Sequence, residues 1–230
     1  MAPLSSDQIA LVTGASRGLG YAVARELGAA GAHVIAIART VGGLEELDDT
    51  IKKSGGSTTL VPLDLTDDPA LERLGAAIHE RWGRLDRWVH TAVHAPPLTP
   101  VPMIDVKDLD ASLKLTARTT QRLIRVLDPL LRQAAHPSAV LFDDAPGAKF
   151  HATYAAAKAA QLAYAKAWAA ESAPIALTIA TPPSMPTALR ARFHPGEDRS
   201  TLTDPAIVAR RLMAHLAGGA SSAVDLSREP

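Results

Sequence analysis

The sequence predicts an α/β fold: a doubly wound parallel sheet of about six to seven strands with helices on both faces. Three observations predict it. Short runs that are apolar throughout alternate with helical patterns along the whole chain, as strands buried on both faces do. A glycine-rich stretch, TGASRGLG (13–20), lies between the first such run and the first helical pattern. The 230 residues, 47% of them hydrophobic, suffice for one large domain (1–230) with a real core.

IALVT (9–13) ends at glycines and reads as the first strand. GLGYAVARELGAAGA (18–32) carries Val23, Leu27 and Ala30 at helical spacing. HVIAIAR (33–39) is a second strand, and LEELDDTIKK (44–53) is an amphipathic helix stopped by Gly55 and Gly56. TTLVPLDL (58–65) is a third strand, 69–82 a helix ending at Gly83, and LDRWVHTA (85–92) a fourth strand. Leu109, Leu113, Leu123, Leu127 and Leu131 mark a long helical region, kinked or ended near Pro129. SAVLFDD (138–144) is a fifth strand. Residues 152–172 are alanine-rich, and alanine is the best helix former. IALTIAT (175–181) is a sixth strand, PAIVARRLMAHLA (205–217) a last helix, and SAVDL (222–226) a short closing strand. The order is that of a Rossmann-like domain. Residues 183–203 lack a clear period and suit either a flap, because ligands bind beyond the C-terminal ends of such strands, or an ordinary long surface connection.

Composition excludes several function classes. Lys+Arg 24 against Asp+Glu 24 gives no basic excess for a nucleic acid or a membrane surface. The absence of cysteine removes disulfides, thiol catalysis and cysteine-based metal sites. MAPLSSDQ has no basic region followed by an apolar run, so no signal peptide is expected, and no stretch reaches the ~18 apolar residues of a membrane span. The expectation is a cytoplasmic protein. His90 and His94 stand four apart across a strand end, too few ligands for a metal, and no metal site is expected.

The glycines at 14, 18 and 20 allow a tight turn and close backbone approach, and the N–H groups at the following helix start favour an anion. A dinucleotide is the ligand this context suggests. An acid about 20 residues on would serve the ribose 2′-OH of NAD, whereas an arginine there accommodates a 2′-phosphate. Here the second strand ends at Arg39, with no acid until Glu45, and Arg17 lies within the loop. The cofactor expected is NADP(H) rather than NAD(H).

Tyr154 and Lys158 are four apart in the alanine-rich helix, so they share a face. An ammonium beside a phenol favours the phenolate and pulls its pKa toward working pH. With TGxxxGxG and a later YxxxK, the chain resembles the short-chain dehydrogenase/reductase family over essentially its whole length. The resemblance implies that Gly14, Ser16, Arg17, Gly18, Leu19 and Gly20 hold the phosphates, and that Asp64 and Leu65 meet the adenine. It implies that Ala92 lies along the cofactor, and that Pro182, Met185 and Thr187 grip the carboxamide. Tyr154 would be the acid or base in carbonyl reduction or alcohol oxidation. Lys158 would bind the nicotinamide ribose and lower the phenol's pKa.

Four family positions differ. The Asn-Asn-Ala-Gly end of strand four reads HTAV (90–93), the Pro-Gly after strand six is Pro182-Pro183, the asparagine of the long helix aligns with Lys114, and the catalytic serine falls at Asp144. An ionised aspartate only accepts hydrogen bonds, while a protonated one could donate. Asp144 and Lys114 either form an ion pair that rebuilds the missing functions or are unrelated replacements. The function expected is an NADP(H)-dependent oxidoreductase acting on a small carbonyl or alcohol. The alternative is a dinucleotide-binding sensor or interaction protein with impaired catalysis. The family also implies a homodimer or homotetramer, for which Ala163, Ala167 and Ala170 would allow close helix packing.

Overall fold

In the computed structural model, residues 7–144, 147–218 and 223–228 are described. The N-terminal MAPLSS and Ser222, the first residue of the expected closing strand, lie outside them. Seven parallel strands form one sheet in the order β3-β2-β1-β4-β5-β6-β7. They are β1 (Ile9–Thr13), β2 (His33–Ala38), β3 (Ser57–Pro62), β4 (Arg87–His90), β5 (Ser138–Phe142), β6 (Ala176–Thr181) and β7 (Ala223–Asp225). The order reverses between β1 and β4. The connections that leave these two strands diverge there and open a crevice at their C-terminal ends.

Successive strand side chains point to opposite faces, so each central strand feeds two cores. On one face Ala10, Val12, Val34 and Ala36 meet helices α1 (Gly18–Ala29), α2 (Val41–Lys53) and α8 (Pro205–Ala217). On the other, Ile9, Leu11, Ile35 and Ile37 meet α3 (Asp68–Trp82), α5 (Thr119–Leu131) and α6 (Ala152–Glu171). This is the doubly wound arrangement expected.

Three elements depart from expectation. β3 stops at Pro62, because Asp64 Oδ1 accepts from the Thr66 N–H and hydroxyl and turns the chain there. The long helical region is α4 (Val106–Ser112), a π-helical run over Leu113–Arg118, and α5. Pro129 does not end this region. It sits in the last turn of α5, which continues to Leu131. The 183–203 stretch contains a short helix α7 (Ala188–Phe193), capped by the Thr187 hydroxyl, and a 3-10 turn at Arg199–Thr201.

Candidate active site

A cavity of about 920 Å³ opens at the β1–β4 crevice. Its floor begins with the glycine loop. Gly18 has φ +59, which only glycine adopts without strain, and Gly20 lies so close to the strand that a Cβ would come within 2.4 Å of Gly14 O and Thr91 Oγ1. α1 starts at Gly18 with no side-chain cap and no acid in its first turn. Its first N–H groups therefore face the cavity with no side chain competing for them, a ready anion site. Leu63 and Leu65 form an apolar wall, and the exposed Arg17 and Arg39 line the same end. Neither arginine enters an ion pair among the described residues. This donor set fits a dinucleotide, with backbone N–H groups for its phosphates and two free guanidiniums nearby.

The other end carries the tyrosine and lysine. α6 brings both to the end of β5, and both are 1% exposed. Asp144, two residues beyond β5, lies between them. The Tyr154 hydroxyl donates to Asp144 Oδ2 at 2.9 Å, and Asp144 Oδ1 lies 3.3 Å from Lys158 Nζ as an ion pair without a hydrogen-bond angle. Lys158 also donates to Phe142 O at 2.5 Å and to Gln161 Oε1 at 2.7 Å. Burial pushes the phenol well above its ordinary pKa. The Asp144 charge, its hydrogen bond and the charge of Asp143 push the same way. The direction is thus opposite to the expectation that Lys158 lowers this value, because burial of the phenol, and after it the Asp144 carboxylate between phenol and ammonium, push the other way.

The Lys114–Asp144 pairing is corrected as well. Lys114 is exposed on the π-helical run and makes no ion pair with Asp144. A solvated ammonium gains little from a partner, whereas a buried one is costly without it. The carboxylate accordingly goes to Lys158. From the same run, Leu115 lines the cavity and Thr116 turns its carbonyl inward to Gln161.

Behind Lys158 a polar chain crosses the interior. Gln161 Nε2 donates to Thr120 Oγ1 at 2.9 Å and to Thr116 O at 3.2 Å. Thr120 Oγ1 is 3.0 Å from His90 Nε2, and His90 Nδ1 is 2.6 Å from Thr13 Oγ1. Thr120 spends its own proton on Thr116 O at 2.7 Å. His90 Nε2 must then be the donor, and Nδ1 accepts from Thr13. Burial, with the Lys158 charge adding to it, pushes the His90 pKa down to about 3. Both ring nitrogens are engaged, which leaves none for a metal.

Phe193 of α7 covers the tyrosine. The Phe193 ring meets Tyr154 edge-on at 5.1 Å between centroids and His151 at the same distance. His151 is buried beneath it, its Nδ1 on Lys149 O. Arg190 grips Glu197 with two hydrogen bonds of 2.7 and 2.6 Å, tying the 183–203 segment to itself.

Most of the residues expected to bind cofactor line the cavity: Gly14, Ser16, Arg17, Gly18, Leu19 and Gly20, then Arg39, Leu65, Ala92 and Lys158, and Pro182, Met185 and Thr187. Asp64 and Tyr154 do not. Asp64 is turned onto Thr66, and Tyr154 lies under Phe193. Sequence reasoning missed Gln161, Thr120 and Thr13. Gln161 alone carried a signal, as a polar residue three beyond Lys158 on a buried helix face.

A family model for the short chain dehydrogenases matches residues 8–198. A short-chain dehydrogenase/reductase, FrzI, from Cladobotryum sp is 33% identical over 175 residues, 74% of this chain and 66% of that protein. A fatty acyl-CoA reductase from Acinetobacter baylyi is 40% identical over 85 residues, 37% of this chain and 29% of that protein. The matched stretches thus span less than two thirds of these relatives. A putative short chain dehydrogenase from Pseudomonas syringae superposes with a TM-score of 0.91 at 26% identity, covering 98% of this chain and 97% of that one. One from Shigella flexneri, complexed with NADP, gives 0.90 at 26% identity over 99% and 100%. With the glycine loop, the Tyr154–Lys158 pair and the sheet order in place, the chain belongs to the short-chain dehydrogenase family.

Proposed function

We propose that the protein is an NADP(H)-dependent oxidoreductase that interconverts a small carbonyl compound and its alcohol. The observation that carries this reading is Asp144, hydrogen-bonded to Tyr154 and ion-paired with Lys158, at one end of a cavity whose other end is a glycine loop. The unpaired Arg17 and Arg39 favour a 2′-phosphate over a free hydroxyl. The Shigella flexneri relative holds NADP, and one from Escherichia coli CFT073, with 25% identity and a TM-score of 0.89, is complexed with NADPH.

When bound, the nicotinamide supplies or accepts the hydride. Tyr154 holds the proton at Oη. Rotation about Cζ–Oη, with Phe193 withdrawn, turns that proton from Asp144 toward a substrate oxygen. Burial and the neighbouring Asp144 charge keep the proton on Tyr154, so the phenol meets a carbonyl substrate in its acid form, while Lys158 faces Asp144 from the other side. Residues 183–203 act as the flap that opens for substrate. The exposed Ala163, Ala167 and Ala170 of α6 are offered to a second copy, giving a homodimer or homotetramer in the cytoplasm.

The burial of Tyr154 under Phe193 favours a second reading, a dinucleotide-binding sensor with little turnover. A panel of aldehydes and ketones with NADPH separates the two. The enzyme reading expects turnover that Tyr154→Phe abolishes while NADPH still binds. Tight NADPH binding with no turnover across the panel would favour the sensor.

A further inference from the structure

We propose that Gln161 is a positioning residue that fixes the Lys158 ammonium from inside the protein. An ammonium has three N–H bonds and no acceptor. At Lys158 one ends on Phe142 O, one on Gln161 Oε1, and the remaining side faces Asp144. Phe142 O belongs to β5 and Asp144 to the loop beyond it, so both anchors sit on the cavity side. Gln161 is the anchor from behind. Its amide is itself held at two points, Thr116 O and Thr120 Oγ1. Thr120 rests on His90, and His90 on Thr13, the last residue of β1 and the one before Gly14.

The chain therefore runs from the ammonium to the root of the glycine loop through α6, α5, β4 and β1. Each member is buried, and every donor has an acceptor: Thr13 gives to His90, His90 to Thr120, Thr120 to Thr116 O, and Gln161 to both threonines. A fully satisfied buried network is rigid, and a half-satisfied one is costly. An amide suits this place because its oxygen takes the ammonium while its NH₂ takes the threonines. A carboxylate would supply only the first function, and a leucine neither. The consequence for the proposed oxidoreductase is that Lys158 is held at a fixed distance from the phosphate loop before any cofactor arrives. That consequence rests on the dinucleotide reading, whereas the positioning of Lys158 by Gln161 does not.

The test is hydrogen exchange of the Lys158 ammonium, followed in ¹⁵N-labelled full-length protein without cofactor. The signal is assigned through the lysine side-chain carbons. In the wild type it should be resolved and slow to exchange. Gln161→Leu should speed exchange at least tenfold, and Gln161→Glu, which keeps the acceptor but loses the amide's hold on Thr116 and Thr120, should speed it much less. Thr120→Val removes the anchor of the amide and should give a smaller acceleration, and it serves if Gln161→Leu does not fold. Unchanged exchange in Gln161→Leu, equal acceleration in Gln161→Leu and Gln161→Glu, or unchanged exchange in Thr120→Val would overturn the proposal. NADPH titration of the same samples should show at least fivefold weaker binding in Gln161→Leu. An exchange response without any NADPH binding would uphold the positioning role and put the fault in the dinucleotide reading.

Discussion

Replacing His90 by asparagine should change how stability depends on pH, and the size of the change follows from the ring's surroundings. An imidazole in an unfolded chain takes a proton near pH 6.5, whereas the folded protein refuses it down to about 3. Between those values the unfolded state binds more protons, so stability rises with pH across the window. The contribution is complete above 6.5 and lost as pH falls toward 3. From pH 7 to pH 5 the wild type should lose about 2 kcal/mol through this group, roughly 1.4 kcal/mol for each unit below 6.5. Asparagine offers one donor and one acceptor in place of the ring but cannot titrate. At pH 7 the variant should be less stable by about 1 kcal/mol, the order of one imperfect hydrogen bond. At pH 5 that deficit should vanish or invert. Urea unfolding of both proteins at the two pH values measures the difference, and other histidines cancel in it. A deficit equal at pH 7 and pH 5 would mean that His90 titrates normally and is not enclosed between Thr13 and Thr120, and the reasoning would fail.

Tyr154→Phe should act at the alkaline end. A phenol whose folded pKa is raised contributes stability that is full below pH 10 and falls as the unfolded chain ionises above it. Between pH 9 and pH 11 the wild type should lose about 1.4 kcal/mol more than the variant, read by urea titration. Gly20→Ala forces a Cβ to within 2.4 Å of Gly14 O and Thr91 Oγ1, which should cost about 1–3 kcal/mol and abolish NADPH binding by fluorescence titration. Gly42→Ala, near the start of α2 with nothing within 4 Å of the added carbon, should instead raise the thermal midpoint, by the equivalent of about 0.5–1 kcal/mol.

The fold was legible because its signals are local. The strands are short apolar runs, the helices end at Gly83 and before Pro174, and a glycine loop marks the first turn. The Tyr154–Lys158 pair was legible for the same reason, since four residues of helix fix its geometry. The partners of that pair were not. Asp144 faces Lys158 rather than Lys114 because the π-helical run at Leu113–Arg118 leaves Lys114 in solvent, and sequence carries no clear mark of such a run. The chain from Gln161 to Thr13 joins residues as far as 77 apart, such as Thr13 and His90, so only the sheet order brings it together. Asp64 stands outside the cavity lining for a local reason. Thr66, two residues on, donates twice to its Oδ1 in a local turn.

NADPH and NADH titrations of the purified protein, followed by nicotinamide fluorescence, test the central claim most directly. The expected result is saturable NADPH binding with NADH at least tenfold weaker, about 1.4 kcal/mol, and loss of that preference in Arg39→Ala. Equal affinity for the two, or binding of neither, would contradict an NADP(H) site built from the glycine loop and the two arginines.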